Sequence, residues 1–459
     1  MKIKHITIKN NPILWNLDLD FLKKDWSISD TILFVGENWS WKSTLLNIIY
    51  TFCNFDDPKL YENESRTFVI DMNHWEFWNW EYSFLFDKNF HNREYAQGIW
   101  LSNVNVSKDS QNISVSNFIS SGITKKVLKW VFTDVSINFN TKEIKSITNL
   151  DTDESVETSI RSWSETAQNI KQLFVDIMNK DWLDLTTRVE ENVWVAPPRE
   201  VYHIRLDRFK KAFNYMFTDE WLEFSWSDWL NPVFKKNWWQ NILIDNLSSW
   251  EKQIAYRWWF LLKDRNSLSD AIILIDEPEI SMHPLWQEKI LDFYKNLFKI
   301  DDQNIISQIF VTTHSPYILW SMDYENDKIF TFPWWIETRN IRKYLWKRPS
   351  LAFLNYKIFN IPTTDLFIEL YWYIQEQKNL RSLKYMDEQL RQWGFDQNKK
   401  WIEYNRDTGW PEEKDYTIFT FIRNSIHHPE NPYWNGEYTK QELKESIEDL
   451  IRLIDQYHI

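Results

Sequence analysis

The chain opens on alternating apolar and polar positions and then changes period. "KIKHITIKN" at 2–10 reads as a half-buried strand, and "TILFV" at 31–35 is a short continuous apolar run that suits a strand buried on both faces. From Lys42 to about Phe52 the apolar residues recur at helical spacing. Between about 61 and 150 come short alternating runs such as "RTFVIDMNH", "EYSFLFD", "KKVLKWVFTDVSINF" and "KEIKSIT", which suit antiparallel strands. The acidic stretch "NLDTDESVETS" at 149–159 reads as a loop, with a helix following across 160–180. Helical periodicity returns around 206–217, and a second α/β stretch runs from about 241 to 330, with "AIILID" at 271–276 as its most apolar strand. From 345 onward the pattern predicts helices over 364–378, 380–393, 415–428 and 440–457. No sustained heptad and no internal repeat appears. Together these divide the chain into 1–60, the first part of an α/β domain; 61–240, a β-rich and then helical insertion; 241–344, the rest of the α/β domain; and 345–459, an all-α domain.

Composition changes the picture in one respect above all. The 459 residues include 30 Trp and only 6 Gly. A chain of this length ordinarily carries roughly 7% Gly, about 32 residues, so the two counts together come close to the glycine expectation. Position agrees with number: Trp falls at "NWSW" (38–41), "SSW" (248–250), "TFPWW" (331–335) and "NPYWNG" (431–436), among neighbours that favour turns. Most of these Trp therefore read as Gly, as would follow from a code in which UGA means glycine translated with UGA as tryptophan.

The remaining bulk properties bound the class. The formal net charge of −13 argues against broad coating of nucleic acid and leaves room for a local basic groove. No apolar run approaches 18 residues, and the first residues look like a strand rather than a signal peptide, so the expectation is a soluble, cytoplasmic protein with no membrane partner. One cysteine, Cys53, allows no internal disulfide.

Candidate chemistry begins at "FVGENWSWKST", 34–44. With Gly at 39 and 41, residues 36–44 become GENGSGKST and satisfy the G-x-x-x-x-G-K-[ST] phosphate loop, between an apolar strand and a helix as that loop requires. Gly36, Asn38, Trp39, Ser40, Trp41 and Thr44 would form the cradle, Lys42 would reach the β- and γ-phosphate oxygens, and Ser43 would contact Mg²⁺. Downstream, "AIILIDEPE" at 271–279 is an apolar strand ending in carboxylates, which would face a ligand crevice. Asp276 suits Mg²⁺, and Glu277 suits polarising an attacking water.

With these two motifs in place, "NLSSWEKQ" (246–253) looks like the signature of ATP-binding-cassette ATPases once Trp250 is read as Gly. "VTTHSP" (311–316) looks like their switch-histidine strand, and "ISMHPLWQ" (280–287) fills their D-loop position. "DEPEISMHP", with Glu279, resembles the OLD, RecF and SMC-like branch, although coiled-coil arms are missing and no clear Q-loop glutamine is present; Gln97 is one candidate. The resemblance implies an α/β P-loop NTPase fold of the ABC-ATPase type, split by the β-rich and helical insertion. It also implies ATP and Mg²⁺ as ligands and a homodimer that sandwiches two nucleotides. Ser248, Ser249, Trp250 and Glu251 of one subunit would then meet the nucleotide on the other subunit's Lys42, with His314 sensing the γ-phosphate.

"FIRNSIHHPENP" at 421–432 matches the R-[polar]-x-x-x-H pattern of HEPN ribonuclease domains through Arg423, Asn424 and His428, with His427 as an alternate. Those domains are helical and pair to build one site. Arg423 could bind a scissile phosphate and His428 act as general acid or base. A helix-terminal Arg and His that cap carbonyls before Pro429 is the other reading of the same residues. Residues 350–377 also resemble the tail of ATPases associated with anti-phage systems. Three functions remain open from sequence: an ATP-gated HEPN ribonuclease of phage defence acting on RNA, a Septu-like ATPase that recruits a separate partner nuclease, and a RecF/SMC-like DNA repair ATPase.

Overall fold

The structure is a computed structural model. It describes residues 2–36, 41–53, 59–74, 77–90, 93–96, 99–102, 104–114, 129–133, 163–191, 204–217, 222–225, 232–237, 239–248, 251–252, 254–255, 271–280, 282–297, 307–331, 349–380, 382–404, 409–433 and 435–457. The chain forms two compact units, Met1–Trp346 and Lys347–Ile459.

In chain order the first unit contains β1 (Lys2–Asn11), β2 (Trp15–Asp20), β3 (Thr31–Val35), α1 (Trp41–Cys53), β4 (Ser65–His74), β5 (Phe77–Asp87), β6 (Arg93–Ala96), β7 (Ile99–Ser102), β8 (Val104–Lys108), β9 (Gln111–Ile113) and β10 (Lys129–Thr133). There follow α2 (Trp163–Glu191), α3 (Ile204–Phe217), β11 (Leu222–Ser225), β12 (Val233–Lys236), β13 (Gln240–Leu243), β14 (Ala271–Asp276), α4 (Pro284–Leu297), β15 (Gln308–Thr313), α5 (Pro316–Ser321) and β16 (Lys328–Thr331).

Two sheets carry the unit. The first is parallel, in the order β10-β14-β15-β3-β16, and every residue of β3, β14, β15 and β16 is buried, as their continuous apolar runs require. The second is antiparallel, in the order β2-β1-β4-β5-β8-β9. One apolar core joins α1 to both sheets: Leu45, Ile49 and Phe52 of the helix cluster with Ile3, Ile6, Phe68 and Phe84 on one side and Ile272, Leu274, Phe310 and Phe330 on the other. Phe52 stacks on Phe68 at 4.1 Å, and Phe21 meets Phe310 and Phe330 edge-on at 5.4 and 5.6 Å. A buried side chain at the start of β15 pins the sheets together. Gln308 accepts from the Ile3 amide at 2.7 Å and donates to the carbonyls of Ile3 and Ser29 at 2.8 and 3.2 Å.

Two expectations are corrected here. Residues 129–133, read among antiparallel strands, pair in parallel with β14, register Lys129 to Ala271, so the insertion returns a strand to the central sheet. The stretch before 241, read as helical, also holds the antiparallel sheet β11-β12-β13, whose four-residue strands are too short to show a period.

The second unit comprises α6 (Leu351–Phe359), α7 (Thr364–Gln377), α8 (Leu383–Gln392), β17 (Asn398–Tyr404), β18 (Pro411–Thr417), α9 (Ile418–His427) and α10 (Lys440–Gln456). Ser350, Thr363, Ser382, Thr417 and Thr439 each cap a helix with the side-chain oxygen, and Glu442 completes a capping box with Thr439. The expected all-α domain is therefore corrected to a helical unit with a β-hairpin. Charged residues hide the period of these strands, yet they hold the hairpin through cross-strand pairs, Lys400 to Glu413 and Lys414 to Glu403, both at 2.6 Å. The helix expected from 415 begins at Ile418 because 411–417 are strand. Buried Asp387 of α8 fastens the junction by accepting from the Thr417 amide and hydroxyl at 2.9 and 2.7 Å. Among the described residues no helix is long and apolar enough to cross a membrane.

Candidate nucleotide site

Strand order brings the predicted residues together. β15 lies between β14 and β3, so the carboxyl-terminal ends of the three strands deliver Asp276 and Glu277, then Thr312 to His314, then Gly36, to one edge of the sheet, where α1 begins. Lys42, in the first turn of α1, is 1% exposed. Its ammonium donates to the Gly36 carbonyl at 3.0 Å and to His314 Nδ1 at 3.3 Å. Ser43 Oγ donates to Asp276 Oδ2 at 3.0 Å, and the Thr312 hydroxyl donates to the other Asp276 oxygen. His314 Nε2 lies 2.9 Å from Glu277 Oε1.

These contacts assign the imidazole. A charged ammonium can only donate, so Nδ1 is the acceptor toward Lys42 and Nε2 carries the proton it gives to Glu277. Burial, then the Lys42 charge, hold His314 below its ordinary value against the pull of Glu277, which keeps the ring neutral near pH 7. Burial also lowers the Lys42 ammonium to about 8, with Glu277, Glu279 and Asp276 opposing the shift in that order. Glu277 sits at φ 43°, a left-handed conformation rare for a residue with a side chain, in the turn that leaves β14.

Other predicted residues fall elsewhere. Asn38, Trp39, Ser40, Gln97, Ser249 and Trp250 lie outside the described residues. Trp41 is buried at the start of α1, its ring 5.6 Å from the Lys42 ammonium, and Thr44 follows on the same helix. Ser248 heads a helical turn, its carbonyl accepting from Lys252 N at 2.9 Å. The Glu251 carboxylate is 3% exposed and is held by the Ser248 amide at 2.7 Å and by Lys236 of β12 at 3.3 Å, so it orders this turn from within. Glu279, quoted from sequence only for resemblance, proves central: its Oε1 accepts from His314 N at 2.6 Å and from the Thr313 hydroxyl at 2.8 Å. Its place in "DEPE", two residues after Glu277, was the available signal.

In the second unit, Arg423 and His427 are four residues apart on α9 and so share a face, whereas His428 lies beyond the helix end. Arg423 Nη1 donates to Asn424 Oδ1 at 3.0 Å, and His428 Nδ1 pairs with Glu430 at 3.3 Å, with about half of the ring exposed. His427 stacks on Trp372 at 5.6 Å, and burial, then Arg423 and His428, hold it below its ordinary value.

Residues 240–319 match the model of an AAA ATPase domain, which supports ATPase activity. Among solved structures, the SMC head domain from Thermotoga maritima is 12% identical, with TM-score 0.39 over 74% of this chain and 97% of that one. The SMC head bound to the C-winged helix domain of ScpA is 11% identical, with TM-score 0.41 over 71% and 93%. No curated protein matches the chain.

The Lys42 environment predicts a pH dependence. The Lys42 ammonium, the cation a phosphate would meet at this edge, is charged below about 8 and neutral above it. Bound phosphate should raise that value, so nucleotide affinity should be level at pH 6–7 and fall by up to about tenfold per unit above pH 8, with proton uptake on binding. Calorimetric titration with ATP in buffers of different ionisation enthalpy measures both.

Proposed function

We propose that the chain binds and hydrolyses ATP at the edge formed by β3, β14 and β15. The observation that carries this reading is the linked set Lys42, Ser43–Asp276 and His314–Glu277, a phosphate-seeking cation, a hydroxyl–carboxylate pair and an oriented acid within one hydrogen-bonded group. Ser43 and Asp276 are hard oxygen donors suited to Mg²⁺, which would offset phosphate charge when bound. Lys42 would leave His314 for the phosphates, the α1 N-terminus would face them, and Glu277 would orient and polarise the attacking water. His314 would hold Glu277 in place and report the γ-phosphate. The turn headed by Ser248 would complete the site on a second copy of the chain, giving a homodimer around two nucleotides.

For the second unit, the proposed role is an RNA-cleaving HEPN-like site of a phage-defence effector, gated by nucleotide state. What supports it is the motif at the end of α9, with Arg423 and His427 on one face and His428 exposed beside them. The share of that face belonging to His427 makes it an equal candidate for the acid–base role. A Septu-like scaffold that recruits a nuclease is the outcome if these residues prove only structural.

We further propose that most Trp stand for Gly. Trp15 and Trp26 support this: both adopt left-handed backbone, φ 55° and 67°, and both are largely exposed, 67% and 81%. Trp401 behaves otherwise, buried in β17 with its ring edge-on to Phe421 at 5.8 Å, as a packed tryptophan does.

Three outcomes test these proposals. Glu277→Gln should retain ATP and persist as a nucleotide-bound dimer in size-exclusion chromatography while turnover drops by about 10²-fold or more; a monomer hydrolysing at the parent rate would overturn the role of Glu277. A chain made with Gly at 39, 41 and 250 should bind ATP at least about tenfold more tightly than the chain with Trp, since an indole fills space beside the phosphates and costs about 1–2 kcal/mol at any left-handed position; a UGG codon at position 41 would sink the substitution there. Arg423→Ala, His427→Ala and His428→Ala should be compared for cleavage of total RNA on induction. Loss of cleavage with the ATPase rate unchanged identifies the members of the site, and full toxicity in all three leaves the scaffold reading.

A further inference from the structure

The turn after β14 contains a carboxylate whose position is costly for the fold. Glu279 Oε1 takes two hydrogen bonds from the end of β15, and its Oε2 is buried with no hydrogen-bond partner among the described residues. A carboxylate in that state contributes less to stability than an apolar side chain of the same shape would. One of its two bonds, however, comes from the amide of His314, the residue whose ring holds the Glu277 carboxylate. The turn is anchored at the other end too: Glu277 N donates to the Thr312 carbonyl at 3.2 Å and to Thr312 Oγ1 at 3.1 Å, and Met282 N donates to the Glu279 carbonyl at 2.9 Å. The path closes on itself. Glu277 is tied to Thr312 through its backbone, Glu279 is tied to His314 through the amide, and His314 returns through Nε2 to the Glu277 carboxylate.

We infer that Glu279 is a positioning residue for hydrolysis, which fixes the backbone of His314 so that the imidazole holds the Glu277 carboxylate in one orientation. The inference rests on the reading of this edge as an ATPase site. His314 is held at two points, its amide on Glu279 and its Nε2 on Glu277, so the ring has one orientation and one tautomer while both bonds stand. Removing the first leaves the side chain to seek Lys42 or Glu277 independently, and the acid loses its fixed direction. Lys42 and Ser43 are bound to Gly36, His314 and Asp276, and Glu279 also acts on the Lys42 ammonium through its charge, a contribution that Glu279→Met and Glu279→Gln remove alike, so comparing those two variants separates nucleotide capture from the acid's alignment.

The test compares Glu279→Met, which keeps the length but accepts nothing, with Glu279→Gln, whose amide oxygen can still accept from His314 N and Thr313. Misaligning a catalytic acid costs on the order of 10²-fold, so the Met variant should lose turnover by about that factor relative to the Gln variant while the two share the ATP dissociation constant within about twofold, because both remove the same charge from beside Lys42. The second readout needs no nucleotide. In the full chain with ¹⁵N-labelled histidine, the His314 ring, assigned by its loss in His314→Asn, should show a single Nε2–H tautomer in the parent and the Gln variant and tautomer averaging in the Met variant. An unchanged His314 signal in the Met variant, or a Gln variant as impaired as Met, overturns the inference. The turnover and binding arms use the chain with Gly at 39, 41 and 250; if that parent binds no ATP, the ATPase reading fails, and the imidazole signals still decide whether Glu279 positions His314. Should Glu279→Met not fold, Glu279→Leu, which likewise accepts nothing from the His314 amide, is read the same way, an unchanged ring signal again counting against the role.

Discussion

Lys42 is a cation held out of water, and the edge of the central sheet is arranged around that fact. An ammonium 1% exposed needs opposite charge close by, and Glu277, Glu279 and Asp276 supply it. Three carboxylates so near one another would repel if each were free. Each is instead fixed by a donor: Asp276 by the hydroxyls of Ser43 and Thr312, Glu277 by His314, Glu279 by Thr313 and the His314 amide. The arrangement is balanced by one neutral imidazole standing between the cation and an acid. Any anion that displaced His314 from Lys42 would alter the partner of Glu277 in the same motion, which makes the pair a natural link between occupancy and chemistry.

That balance depends on register. β15 is paired with β14 on one side and β3 on the other, Thr312 opposite Asp276 and Phe34, so a shift of one residue would exchange Thr312 with Thr313 and send each hydroxyl to the wrong face. Gln308 prevents the shift from the far end of the strand. Its amide fits only where the Ile3 amide and carbonyl and the Ser29 carbonyl converge, five residues before Thr313. The antiparallel sheet, which contributes nothing to the site directly, therefore sets where β15 delivers its last three residues.

The parts of the site legible in sequence are those carried by uninterrupted apolar strands and by residues of fixed spacing. "TILFV", "AIILID" and "QIFVTT" announce buried strands, and Lys42, Ser43, Asp276, Glu277 and His314 follow them or the loop after them. Strand order was not legible, because pairing between residues 129–133 and 271–275 leaves no local trace across more than a hundred residues. The hairpin of the second unit was missed because its stabilising pairs are charged and Trp401 is the one apolar residue of its strands that is buried. Glu279 was visible as a letter and not as a role, since its function lies in a backbone amide of another strand.

The divergence between side chains and backbone also bears on the glycine question. The contacts that link the Lys42 ammonium, the His314 imidazole and the Glu277 carboxylate to one another are made by side chains the sequence spells out, and they form with Trp41 buried beside Lys42. A phosphate cradle is different in kind: it is made of backbone amides that must face the ligand directly, and only a residue without a side chain leaves them open. On the proposed reading, replacing the indole at 41 by hydrogen would leave the carboxylate and histidine contacts in place, because none of their hydrogen bonds uses it. What it would change is the space next to the ammonium. On that reading the chain as written carries the side chains proposed for catalysis beside a space that an indole narrows, an inconsistency between two levels of the same site that glycine at this position removes.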